Sequence, residues 1–200
     1  IRMNSTHKDF NTARAMDPYY IYAFQHNPGD SCNLGSRMEF GLEILRQYGC
    51  KLKHKEPILK CDSPVDKDYV SIESRRPYTI NSYTPLDFSI ENIKIELFKK
   101  NIVAIGTYLD SNFFNLNSQN YIWRPNNQLK IYNGHAMCIV GFDDSKFGGA
   151  FEVMNSWGAN WGDEGYCWIK YEDLLTWTDE LWVMDLSGYK NEDCLFGDCE

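Results

Sequence analysis

Five strand-length runs, rich in β-branched and aromatic residues, occupy the chain from residue 101 onward: 102–109, 136–142, 150–154, 165–170 and 181–186. Before them, two segments repeat apolar residues at helical spacing. The first, over 37–48, places Met38, Leu42 and Leu45 on one face and stops at Gly49. The second begins at Ser89, carries Ile90, Ile93 and Leu97, and sets Glu96 four residues ahead of Lys100. Helices grouped before strands predict an α+β fold, a helical lobe followed by an antiparallel, curled sheet, and not the alternation of a parallel α/β sheet. Gly148-Gly149 supplies a hairpin turn between two of the runs. The stretch 51–85, with Pro57, Pro64, Pro77 and Pro85, reads as an irregular connection.

At 200 residues, with 43% apolar, 15% aromatic and 24% charged side chains, the chain can bury a full core, which excludes disordered and fibrous classes and predicts one domain of two lobes. A formal charge of −8 repels phosphate backbones and anionic membrane surfaces, so neither a nucleic acid nor a membrane is an expected partner. The longest apolar stretches, 102–105 and 136–140, are strand-sized. The chain opens on Ile1 followed by mixed polar sequence, and is expected to start inside a longer reading frame. Seven cysteines, Cys32, Cys50, Cys61, Cys138, Cys167, Cys194 and Cys199, suggest an oxidising compartment and hence a secreted or extracytoplasmic protein. Cys138 and Cys167 read as inert buried thiols, and Cys194 with Cys199 as a possible small disulfide loop. His7, His26 and His54 have no second ligand at metal spacing, so no metal or organic cofactor is implied.

Chemistry concentrates between 134 and 166. The run Gly134-His135-Ala136-Met137-Cys138-Ile139-Val140-Gly141-Phe142 is followed by Asn155-Ser156-Trp157-Gly158-Ala159-Asn160-Trp161-Gly162-Asp163-Glu164-Gly165-Tyr166. A hairpin brings a histidine just ahead of one strand beside an asparagine just after its neighbour. An imidazole that serves as base or as ion-pair cation needs a fixed tautomer and ring plane, which an amide oxygen provides without adding charge. Trp157 is placed to cover that bond, Gly158, Gly162 and Gly165 suit tight turns, and Asp143-Asp144 reads as a turn. A histidine at a strand end, or an Asn-Ser-Trp-Gly turn, is ordinary structure when alone. Together they closely resemble the papain-like cysteine peptidases.

The resemblance implies a papain-like two-lobe fold over 1–200: a helical lobe to about residue 100 that lacks its first helix, a β-barrel-like lobe over 101–188, an active cleft between them, and a tail over 189–200. It implies His135 and Asn155 as the catalytic base and its orienter, and Gly35, Gly106, Gly134 and Trp157 on the substrate side. Cys32-Asn33-Leu34-Gly35 resembles the family's Cys-Asn-Gly-Gly segment, in which the cysteine is a disulfide partner. Leu34 departs from that pattern and narrows or shifts the expected backbone approach. Gly106, at the end of Ile102-Val103-Ala104-Ile105, would line the specificity pocket.

In the family the nucleophilic cysteine lies roughly 130 to 150 residues ahead of the histidine, and residues 1–31 contain no cysteine. Cys32, about a hundred positions ahead of His135, matches the later disulfide segment instead. Two readings follow. In one, a segment upstream of Ile1, in cis or as a second chain, brings the thiol and the oxyanion glutamine to a peptidase acting on peptide or protein substrates, with a propeptide as a further partner. In the other, the chain is an inactive relative that binds peptides or proteins. Acyl transfer to another acceptor would use the same machinery.

Overall fold

The computed structural model describes residues 17–25, 35–50, 79–126 and 130–185. These fall into two compact units, one formed by described residues up to Tyr83 together with Asp185, the other by 84–184. In the first, α1 (Pro18–Gln25) and α2 (Met38–Gln47) bury Tyr20, Phe24 and Ile44, with Phe24 stacked on Tyr48 at 4.9 Å. The helix read from the spacing of Met38, Leu42 and Leu45 forms as expected and ends before Gly49, whose φ of 74° no side-chain-bearing residue adopts cheaply.

The second unit holds most of a seven-stranded sheet in the order β1-β7-β2-β4-β5-β6-β3. In chain order its elements are β1 (Ser82–Pro85), α3 (Ile90–Phe98), β2 (Ile102–Asp110), α4 (Ser111–Phe114), β3 (Ile122–Trp123), β4 (Lys130–Asp143), β5 (Ala150–Met154), β6 (Tyr166–Lys170), α5 (Tyr171–Trp177) and β7 (Thr178–Asp185). The architecture is α+β, as the grouping of helices before strands predicts. The sheet is open, its edges being β1 and β3. The pairs β2–β4, β2–β7, β4–β5 and β5–β6 are antiparallel, while the two-residue β3 runs parallel to β6. Strand β1 lies inside the stretch read as irregular; it is an edge strand that ends at Pro85, where the missing N–H costs no ladder bond.

Alternation on the central strands sends Val103, Ile105, Ile139, Phe151 and Val153 into a core in which each is at most 1% exposed. Helix α3, capped by the Ser89 hydroxyl accepting from Asn92 N–H, adds Ile93 and Leu97 to it. Cys138 and Cys167 are free thiols, and no disulfide joins two described residues. The Cys50 thiol donates to the carbonyl of Asp17 at 3.5 Å. Cys32, Cys61, Cys194, Cys199, Leu34, His7, His26 and His54 lie outside the described residues.

Asp110 closes β2 and is fully buried. Its carboxylate caps α4 by accepting from Phe113 N–H at 3.1 Å, and also accepts from Trp123 Nε1–H at 2.8 Å and Asn126 N–H at 2.6 Å. Three donors on one buried acceptor fix α4 and β3 relative to the end of β2. Replacing Asp110 with Ala orphans all three and is expected to cost about 2–4 kcal/mol, read as a lower urea midpoint at unchanged m-value; Asp110→Asn should lose less, because it keeps an acceptor.

Candidate functional site

His135 sits within β4, paired opposite Thr107 of β2. The strand starts at Lys130, earlier than the run 136–142, because Leu109 and Asp110 at the end of β2 pair with Ile131 and Lys130 beyond a register shift. Strand β5 returns antiparallel to β4 with Cys138 opposite Met154, so the residue following β5, Asn155, arrives beside His135. His135 Nε2 and Asn155 Oδ1 are 2.8 Å apart.

An amide oxygen only accepts, so Nε2 carries the proton and donates it, which leaves Nδ1 as the basic nitrogen. The same Oδ1 accepts from Ser156 N–H at 2.8 Å, and this second donor sets which way the amide faces. Asn155 N–H donates to Gly165 O at 3.0 Å, tying the amide to the far side of the β5–β6 turn. Gly158, Gly162 and Gly165 have φ of 84°, 60° and 93°. At Gly162 a Cβ would also collide with the carbonyl oxygen of Tyr166, so this turn tolerates no side chain there.

Aromatic rings enclose the imidazole. Trp157 lies 5.0 Å from it, Phe113 meets it edge-on at 5.9 Å, and Trp161 packs behind at 4.7 Å from Phe113. Trp157 remains 40% exposed and stacks on Phe114 at 5.2 Å, forming an apolar shelf beside the histidine. Burial among these rings pushes the His135 pKa below its ordinary value, and the bond to Asn155 opposes that shift without cancelling it.

Of the sequence candidates, His135, Asn155 and Trp157 converge, with Gly134 adjoining on β4. Gly106 pairs with Ala136 on one side and Glu180 on the other, and a Cβ there would approach Glu180 Cβ to 3.1 Å. Gly35 belongs to the other unit, exposed and with open space around it. Sequence reasoning missed Phe113 and Phe114; the signal was Asp110 as an N-cap three residues before an aromatic pair. Cys138 is close to His135 in sequence, but strand alternation turns it to the opposite face, and burial pushes its thiol up to about 11. It packs as an inert thiol, as does fully buried Cys167.

The neutral imidazole is the form the fold favours, so between the two pKa values the unfolded chain binds more protons. The resulting stability is complete above about pH 6.5 and is lost as pH falls through the lower, folded value. An NMR titration should place the His135 midpoint below 6.5, and Trp157→Ala, by opening a ring face to water, should raise it. A midpoint at or above the ordinary value in the parent chain would contradict the enclosure described.

The family model described as papain family cysteine protease matches residues 23–177. A peptidase C1-like protein of Acanthamoeba polyphaga mimivirus is 26% identical over 179 residues, covering 83% of this chain; the chain spans 56% of that relative's length. The fold matches xylellain, a cysteine protease from Xylella fastidiosa, with a TM-score of 0.66 at 23% identity over 85% of this chain and 69% of that one. It also matches digestive procathepsin L 3 of Tenebrio molitor larval midgut, with a TM-score of 0.64 at 16% identity over 86% and 56% of the two chains.

Proposed function

The chain belongs to the papain family of cysteine proteases, and from that premise we propose that it hydrolyses peptide bonds through a thiolate–imidazolium pair whose sulfur is supplied by a segment upstream of Ile1. The observation that carries this reading is the 2.8 Å contact between His135 Nε2 and Asn155 Oδ1. It holds the imidazole in the tautomer whose Nδ1 is free to take a thiol proton.

In the proposed sequence, Nδ1 accepts that proton and the thiolate attacks the peptide carbonyl carbon, forming a C–S bond. The imidazolium then returns the proton to the departing amine as the C–N bond breaks. Water, deprotonated by the same Nδ1, hydrolyses the thioester and releases the thiol. Asn155 keeps the ring plane fixed through both proton transfers, and Trp157 limits the water that competes for their hydrogen bond. Isolated burial disfavours the imidazolium, whereas a thiolate beside it reverses that balance by Coulomb attraction. The aromatic enclosure therefore suits a pair that ionises together.

Peptide and protein substrates, and a propeptide, are the partners this reading assigns, supported by the proform among the fold's neighbours. The seven cysteines support an extracytoplasmic setting. In the full-length protein, His135→Ala should lower kcat by about 10²–10⁴-fold. Asn155→Ala should lower it about tenfold, the equivalent of one oriented hydrogen bond. Alkylation by iodoacetamide followed by intact-mass analysis should mark one reactive thiol upstream of Ile1. Full rate in either variant rejects the assigned roles, and a protein with no such thiol that binds peptides without turnover rejects hydrolysis.

A further inference from the structure

A cavity of about 270 Å³ opens beside α4, and nothing in the proposed chemistry uses it. Leu116 and Ile122, 5% and 6% exposed, form its apolar part, and Asn112, Asn115, Asn120 and Arg124 its polar part. Two of the amides are oriented by backbone: Asn112 Nδ2 donates to Arg124 O at 3.2 Å and Asn115 Nδ2 to Ser111 O at 3.1 Å. Each retains a second N–H. Arg124 is exposed, and among the described residues no carboxylate lies within ion-pair distance of its guanidinium.

The cavity shares its helix with the reacting centre. Phe113 packs on His135 and Phe114 on Trp157, while Asn112 and Asn115, which flank those two phenylalanines in the chain, line the cavity. In the sheet order, Gly106 lies on the β7 side of β4, whereas Ile122 belongs to β3, the opposite edge. A polypeptide that approaches His135 from Gly106 and continues over the Trp157–Phe114 shelf is thus directed toward the β3 side of the sheet, where Arg124 follows Trp123.

The chemistry of the lining selects the ligand. A guanidinium fork matches a carboxylate in two parallel N–H···O bonds, and the neighbouring amides are further donors. No lining residue carries a negative charge or an aromatic ring. We propose that this cavity receives a carboxylate on the departing side of the polypeptide, either its C-terminus or an acidic side chain, with Arg124 as the countercharge. The proposal rests on the peptidase reading for its direction of travel, and its test separates the two.

The probes are labelled three-residue peptides with a free C-terminus, their C-terminal amides, and amides with Glu or Gln at the third position. Their binding to the chain is read by fluorescence anisotropy, and their turnover, when placed after a scissile bond, with the full-length protein. A carboxylate-bearing peptide should bind roughly two- to fivefold more tightly than its neutral partner, as one exposed ion pair provides. Arg124→Gln should bring that ratio to one, and Arg124→Lys should keep only part of it. Preference for the free acid alone identifies the chain terminus as the source; preference for the Glu amide identifies a side chain. Equal binding of charged and neutral peptides, or a preference that survives Arg124→Gln, overturns the proposal. Binding preference intact with no turnover of any peptide upholds it while counting against hydrolysis.

Discussion

The pairing of β4 with β5 is the constraint on which the site depends. With Cys138 opposite Met154, the strand end delivers Asn155 to His135. A slip of one residue would turn His135 and Met137 outward and Gly134, Ala136 and Cys138 inward, because side chains alternate with a period of two. The core enforces the register: Ile139 and Val153, opposite each other on these strands, are both fully buried. Hydrophobic burial over the sheet thereby specifies a polar contact at the end of two interior strands.

The site carries no formal charge on its own side chains. The imidazole is flanked by Phe113 and Trp157, with Trp161 packed behind them, and its orienter is an uncharged amide. A carboxylate in that place would stabilise the imidazolium strongly and leave less of that stabilisation to a partnering thiolate. The amide instead fixes the ring's geometry without adding charge, which is what the proposed thiolate partner requires. Two acidic groups near the sheet are engaged elsewhere. Asp110 is spent on a helix cap, and Asp144 pairs with Lys94 and Tyr171.

Much of this was legible in the chain. The helical spacing of α2 and the Ser89 cap of α3 gave those helices within a residue or two, and β-branched runs marked β2, β5 and β6. His135, Asn155 and Trp157 were readable because a hairpin makes their proximity a local matter. Helices α4 and α5 were not, since four and seven residues are too few for a period of 3.6 to declare itself. Strand β1 was hidden by its proline, and the start of β4 by the register shift that separates it from the apolar run. The Asp110 cap marks α4 locally, but the contact that brings Phe113 to His135 joins residues 22 positions apart and is not visible in that cap. The four-residue α4 was therefore the chief omission, although it supports the imidazole on one side and the cavity on the other.

The turn between β5 and β6 carries its own set of internal bonds beside the two that tie it to α4, Gly162 N–H to Leu116 O and Trp161 Nε1–H to Phe113 O. Gly165 N–H bonds to Trp161 O, Asp163 N–H to Tyr166 O, and Asn155 N–H to Gly165 O, and its glycines already favour the dihedrals required. Closing a loop of about ten residues loses less chain entropy than the longer closures that assemble β2 and β7 around it. The carboxamide can thus be set in its final attitude by a short stretch of nascent polypeptide, before distant parts of the molecule have met.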